Sequence, residues 1–169
     1  GIATLAGDGL LNSAFEIMNK NMLLYFDDMT ELKKRVNASY AISKGAGIQG
    51  MIAGQVSDIE AENKKCSGEM LKYIHLNKTG ELLSVAIMAG LFLGGADDEM
   101  LSKMKSYSEN MGLAFQIADD ILDVTGNPDE MGKKPSEDMK HNKVTYVSMY
   151  GLEESRKKLH ELTEKAVES

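Results

Sequence analysis

Apolar residues recur at three- and four-residue intervals along nearly the whole chain, and no alternating stretch is long enough to specify a strand. Ile2 to Met18 carries Leu5, Leu10, Leu11, Phe15 and Met18 at helical spacing, and Asn19 to Asp28 is less regular. A polar-faced helix follows Asp27-Asp28, and Ala38 to Ala61 predicts the next. Asn63 to Gly68 reads as a polar loop, with Ser67 as the N-cap of a helix opening at Met70. Leu71 to Phe92 predicts a strongly buried helix, interrupted by Lys78-Thr79-Gly80. There a glycine beside a β-branched residue predicts a kink that opens backbone groups to a ligand. A final amphipathic helix runs from about Lys143 to the end, punctuated by Gly151. The fold class is all-α.

The most apolar helix spans Tyr107 to Gly126. Met111, Leu113, Ala114, Phe115, Ile117, Ala118, Ile121, Leu122 and Val124 leave it almost no polar face, which assigns it to a core. Yet Asp119, Asp120 and Asp123 sit in its last two turns, just before the stop signal Gly126-Asn127-Pro128. Aspartate is a poor helix former, at roughly 0.7 kcal/mol against alanine. Like charges four residues apart cost about 0.2–0.5 kcal/mol more. Anions at a helix C-terminus are disfavoured by about 0.3–1 kcal/mol each. A bound positive charge is the expected compensation. Two other acid clusters serve as controls. Asp27-Asp28 and Asp97-Asp98-Glu99 both precede helices, where capping and the dipole favour them.

Four glycines within ten residues, Gly45, Gly47, Gly50 and Gly54, predict close approach, either of helix to helix or of helix to ligand. Gln55 and Asp58 share a face three residues apart. His75, three residues before Lys78, is expected to be structural.

A chain of 169 residues is one domain's worth and can bury a sizeable core. Its net charge of −7 argues against nucleic acid or an anionic membrane as a bulk partner, so an anionic substrate would need local cations. Cys66 is the only cysteine, which precludes an intrachain disulfide and a thiolate cluster, and fits a reducing, cytoplasmic setting. The longest apolar stretch, Leu82 to Gly95, is too short to span a bilayer, so no stable membrane insertion is expected. Gly1-Ile2-Ala3 already stands inside a helical pattern and Glu168-Ser169 inside a charged one. The chain is therefore expected to be part of a longer protein.

Residues four apart on a helix lie about 40° apart and roughly 6 Å along the axis, so Asp119 and Asp123 can face one side, with Asp120 about 100° around. Oxygen-only donors suit a hard cation, Mg²⁺ before Zn²⁺, which takes one or two carboxylates and shares its other positions with water and phosphate. With Lys133 and Lys143 in the lysine-rich stretch that follows, the acids point to a diphosphate site.

Phe115-Gln116-Ile117-Ala118-Asp119-Asp120-Ile121-Leu122-Asp123 resembles the second aspartate-rich motif of the trans-isoprenyl diphosphate synthases. Ala6-Gly7-Asp8-Gly9-Leu10-Leu11, Gly50 to Asp58, Lys78-Thr79-Gly80, Gly132-Lys133 and Asn142-Lys143-Val144-Thr145-Tyr146 resemble the family's other blocks, in its order. The wording from Gly50 to Glu62 is most similar to bacterial farnesyl diphosphate synthases (geranyltranstransferases), and geranylgeranyl synthases are similar there.

The resemblance implies an isoprenoid-synthase-type helical bundle, of which residues 1–169 would be the C-terminal portion of a single domain, with the N-terminal helices absent. It implies that Asp119, Asp120 and Asp123 hold Mg²⁺ against an allylic diphosphate. Lys78, Lys133 and Lys143 would contact the same diphosphate, Thr79 and Gln116 would fall on pocket residues, and Gln55 and Asp58 would match a neighbouring pocket segment. Lys78 and Thr79 are the residues it places nearest the chemistry. The implied reaction condenses dimethylallyl or geranyl diphosphate with isopentenyl diphosphate, releasing diphosphate and giving farnesyl diphosphate, in a homodimer. The family's first aspartate-rich motif and its isopentenyl diphosphate site lie upstream of Gly1, so the fragment alone is expected to be inactive. Product length is set there too, which leaves a geranylgeranyl or longer-chain synthase open. A non-catalytic partner subunit of the same fold, or a bundle whose acids bind adventitious cations, are the other readings.

Overall fold

Side-chain caps decide where the helices begin. In a computed structural model of the chain, which describes residues 1–62, 64, 66–126 and 143–169, Asp28 accepts the Thr30 and Glu31 amides, both at 3.1 Å. Ser67 accepts the Met70 amide at 3.1 Å, and Asp97 accepts that of Met100 at 2.8 Å. Each such cap stabilises its helix by about 1 kcal/mol. The two control acid clusters are thus helix starts, as expected.

All regular structure among the described residues is helical. The helices are α1 (Ile2–Leu23), α2 (Met29–Ala46), α3 (Met51–Ala61), α4 (Gly68–His75), α5 (Glu81–Gly94), α6 (Asp98–Thr125), α7 (Tyr146–Tyr150) and α8 (Leu152–Glu168). A π-helical turn, Leu76–Gly80, carries α4 into α5 without a break.

Several boundaries differ from those the sequence predicts. The irregular segment after Met18 is helical through Leu23, and the turn beyond it is fastened by Arg35, which stacks 3.3 Å from the Tyr25 ring centroid and donates to Asn21 Oδ1 at 3.0 Å. Ala38 to Ala61 is two helices rather than one, because the glycine-rich segment 47–50 turns the chain between α2 and α3. The last helix starts at Tyr146 and breaks at Gly151, whose φ of +82° is open to few other residues.

Helix α2 lies along α5, and α8 lies along α6. The core joins Leu113, Ala114, Ile117 and Ile121 of α6 to Leu162 of α8, with Leu76, Tyr146 and Leu159 packed around them. Ser84 and Ser108 place their hydroxyls 2.8 Å apart and bridge α5 to α6. The expectation that α6 is buried all round is corrected: Ile117 is 0% exposed, but Phe115 on the other side is 55% exposed. The helix from Leu71 to Phe92 is likewise buried along one side only, through Leu71, Ile74, Val85 and Ala89. Helix α1 has no buried residue at all, and Ile2, Leu5, Leu10 and Ile17 all stand exposed. Taken as one run, Gly68–Gly94 is 27 residues and contains an 18-residue window with a mean hydropathy of 1.3, long and apolar enough by length and composition to cross a membrane. Core helices of bundles share that length and composition, and this one packs on α2, α3 and α6.

Close approach explains the glycines. A Cβ on Gly54 would overlap the Lys78 amide nitrogen, and one on Gly112 would stand 2.8 Å from Gly80 Cα. Of the two alternatives the sequence left open, Gly54 meets another backbone. Gly54→Ala should therefore destabilise the fold by about 1–3 kcal/mol through overpacking, where helix propensity alone would stabilise it by about 1 kcal/mol. Urea denaturation reads the sign directly; a higher midpoint for the alanine variant would refute the contact.

Candidate functional site

A π turn holds one more residue per hydrogen-bonded ring than an α turn, and such turns recur at functional sites. Here it presents Lys78 and Thr79 between α3 and α6. Lys78 Nζ donates to Asp58 Oδ2 of α3 at 2.6 Å, and Lys143 Nζ, arriving from ahead of α7, lies 3.3 Å from the same oxygen. Burial pushes the Asp58 carboxyl up, but the two ammonium groups outweigh it and hold it below the usual carboxylate range.

From α6 come Gln116, Asp119 and Asp120. Asp120 is 3% exposed, and its Oδ2 accepts the Tyr146 backbone amide at 2.6 Å. That amide is one of the donors a helix start leaves without an intrahelical partner. His75 Nε2 stands 3.5 Å from the same oxygen, too long for a good hydrogen bond. Burial lowers the His75 pKa to about 4, with the Lys78 and Lys143 charges adding and Asp58 opposing, so the imidazole is neutral at pH 7 and the contact is not an ion pair. Its Nδ1 has no hydrogen-bond partner among the described residues.

These groups surround a cavity of about 190 Å³. Lys78, Lys143 and Asp58 line one part of it, Thr79, Gln116, Asp119 and Asp120 another, and Leu71, Ile74, His75, Val144 and Thr145 complete the wall. A larger cavity of about 400 Å³ opens between α4, α6 and α8 over Leu76, Leu113 and Leu162. It contains none of the sequence-predicted site residues, and convergent polar groups rather than volume identify the functional one.

Seven of the ten residues singled out from sequence meet at the smaller cavity: Asp58, Lys78, Thr79, Gln116, Asp119, Asp120 and Lys143. Gln55 is exposed and does not line it. Asp123 is 2% exposed and also stands outside the lining, so the acids that share the cavity are Asp119 and Asp120 rather than the i,i+4 pair. Lys133 lies outside the described residues. Sequence reasoning passed over Thr145, which caps α7 by accepting the Ser148 amide at 3.1 Å while its own amide donates to Ser148 Oγ at 2.9 Å. A threonine three residues before a serine at a helix start was the available signal.

Among the described residues no three His, Cys, Asp or Glu side chains converge as a metal cluster. Two carboxylates beside an amide and a hydroxyl nevertheless fit Mg²⁺, which keeps water and phosphate oxygens in its remaining positions.

The sequence matches the polyprenyl synthetase family over residues 1–169. The chain belongs to the polyprenyl synthetase family. It is 38% identical over 157 residues to the farnesyl diphosphate synthase of Bacillus subtilis (strain 168), covering 93% of this chain and 52% of that one. It is equally 38% identical over 170 residues to the chloroplastic geranylgeranyl pyrophosphate synthase 11 of Arabidopsis thaliana, covering 99% and 46%. A geranyltransferase of Helicobacter pylori, crystallised with magnesium and isoprenyl diphosphate, superposes with a TM-score of 0.84 at 32% identity, covering 98% of this chain and 52% of that one. The fold is therefore the all-helical isoprenoid synthase fold, and the chain spans about half the length of the curated relatives it matches.

The neutral, buried His75 makes stability depend on pH. Above pH 6.5 the imidazole is neutral in both states. Between 6.5 and about 4 only the unfolded chain takes the proton, so the native state loses stability as pH falls through that window. For metal-free protein the loss approaches about 3 kcal/mol near pH 4, and His75→Gln should remove it. Urea denaturation of both proteins at pH 7 and pH 4.5 measures it; parallel losses in the two would exclude His75 as the source.

Proposed function

We propose that the protein to which this chain belongs is a trans-prenyltransferase condensing an allylic diphosphate with isopentenyl diphosphate. The observation that carries this is the meeting of Lys78 and Lys143 with Asp119, Asp120, Gln116 and Thr79 around one cavity. Cations and carboxylates in one small cavity suit a ligand that is itself an anion carried with a metal. Mg²⁺ held by Asp119 and Asp120, with Asp123 behind them as the third acid that the family resemblance implies, would neutralise charge on the leaving diphosphate, which Lys133 would also contact. Lys78 and Lys143 bind the same phosphate oxygens, and Thr79 and Gln116 orient them. Leu71, Ile74 and Val144 keep water from that side of the cavity. The allylic C–O bond breaks, the isopentenyl double bond forms the new C–C bond, and a proton is lost to restore an alkene.

Farnesyl diphosphate, made from dimethylallyl or geranyl diphosphate, is the product we favour, on the likeness to the Bacillus subtilis enzyme. A geranylgeranyl product is the second reading, since plant synthases of that product match at the same identity. We further take the whole protein to be cytoplasmic and homodimeric, with additional helices covering the exposed apolar side of α1. Those helices would carry the isopentenyl diphosphate site, so this chain alone would be inactive.

In the full-length protein, Asp119→Ala should lower prenyl transfer at least a hundredfold, and a chelator should abolish it in the wild type. Release of diphosphate and chromatography of the prenyl product are the measurements. Turnover within a few-fold of wild type would refute the metal assignment.

A further inference from the structure

A carboxylate is a strange neighbour for the groups that receive a diphosphate. Asp58 repels any anion entering the cavity it lines, yet it is the residue on which the two cations converge. Both ammonium groups meet one oxygen, Asp58 Oδ2, at 2.6 and 3.3 Å, so the two Nζ atoms can be no farther apart than 5.9 Å. At that separation two like charges drive each other apart unless an opposite charge stands between them. The two lysines belong to distant parts of the chain, one to the π turn and one to the approach to α7, and Asp58 joins them from a third element, α3.

We propose that Asp58 is a positioning residue that holds Lys78 and Lys143 as a pair facing the cavity, spaced to receive oxygens of one diphosphate. The proposal rests on the diphosphate reading of the site and changes the role of Asp58 from ligand contact to tether. A lysine ammonium carries three donors, so a contact with Asp58 does not by itself exhaust its capacity to bind phosphate oxygens. Long lysine side chains lose much rotamer freedom when they bind, and a tether already in place removes that loss from the binding step.

Calorimetric titration of the full-length protein with inorganic diphosphate in Mg²⁺ buffer tests it. Asp58→Asn should raise the Kd about tenfold, although it removes a negative charge from the cavity, and Asp58→Glu should recover part of the loss. Binding by Asp58→Asn as tight as wild type or tighter would overturn the proposal, because Asp58 would then be only a repelling charge. A coupling experiment guards against a general loss of fold. Lys143→Met should cost about fivefold less in the Asp58→Asn background than in the wild type, and equal costs would overturn the tether. If the wild type neither binds diphosphate nor transfers a prenyl group, the diphosphate reading itself fails, and this proposal with it.

Discussion

Backbone contact at two glycines sets the geometry of the site. Gly54 of α3 touches the π turn at Asn77 and Lys78, and Gly112 of α6 touches it at Gly80. Residues one and two turns further along a helix lie on nearly the same face. The contact at Gly54 therefore aims Asp58 at Lys78, and the contact at Gly112 aims Gln116 and Asp119 at the same cavity. Both polar walls are positioned by where bare backbone meets bare backbone. A side chain at either glycine would spread the helices and move the charged groups they carry.

The carboxylates at the end of α6 have part of their compensation inside the fold. Asp120 is held by the first amide of α7, and the neutral His75 approaches it without adding charge. Asp58 is compensated by the two lysines, whose ammonium groups stand 2.6 and 3.3 Å from its Oδ2. A chain with a net charge of −7 thereby places two ammonium groups among three carboxylates where an anion would arrive.

The sequence carried the helical class, the three caps and the contrast between well-placed and badly placed acids, because each of these depends on residues a few positions apart. Lys78-Thr79-Gly80 was legible as an interruption, although its form, a π turn, was not. What could not be read locally was set by tertiary contact. The i,i+4 spacing of Asp119 and Asp123 says that they share a side of the helix, but neighbouring helices decide which acids reach the cavity, and Asp120 rather than Asp123 joins Asp119 there. The double ion pair of Asp58 brings together residues twenty and eighty-five positions away in the chain, and no local spacing announces it. Burial of α5 and of the outer side of α6 was overestimated for a related reason: apolar periodicity marks a face that seeks a partner, without saying that the partner lies within these residues.

The π turn also reads as a single-residue insertion. Taking one residue out of Leu76–Gly80 would let the ring relax to an ordinary α turn and would rotate α4 by about 100° relative to α5. The long helix would survive and its composition would hardly change, but its two halves could not both keep their neighbours. An alteration of one codon's length could thus erase the site while leaving a helical protein behind.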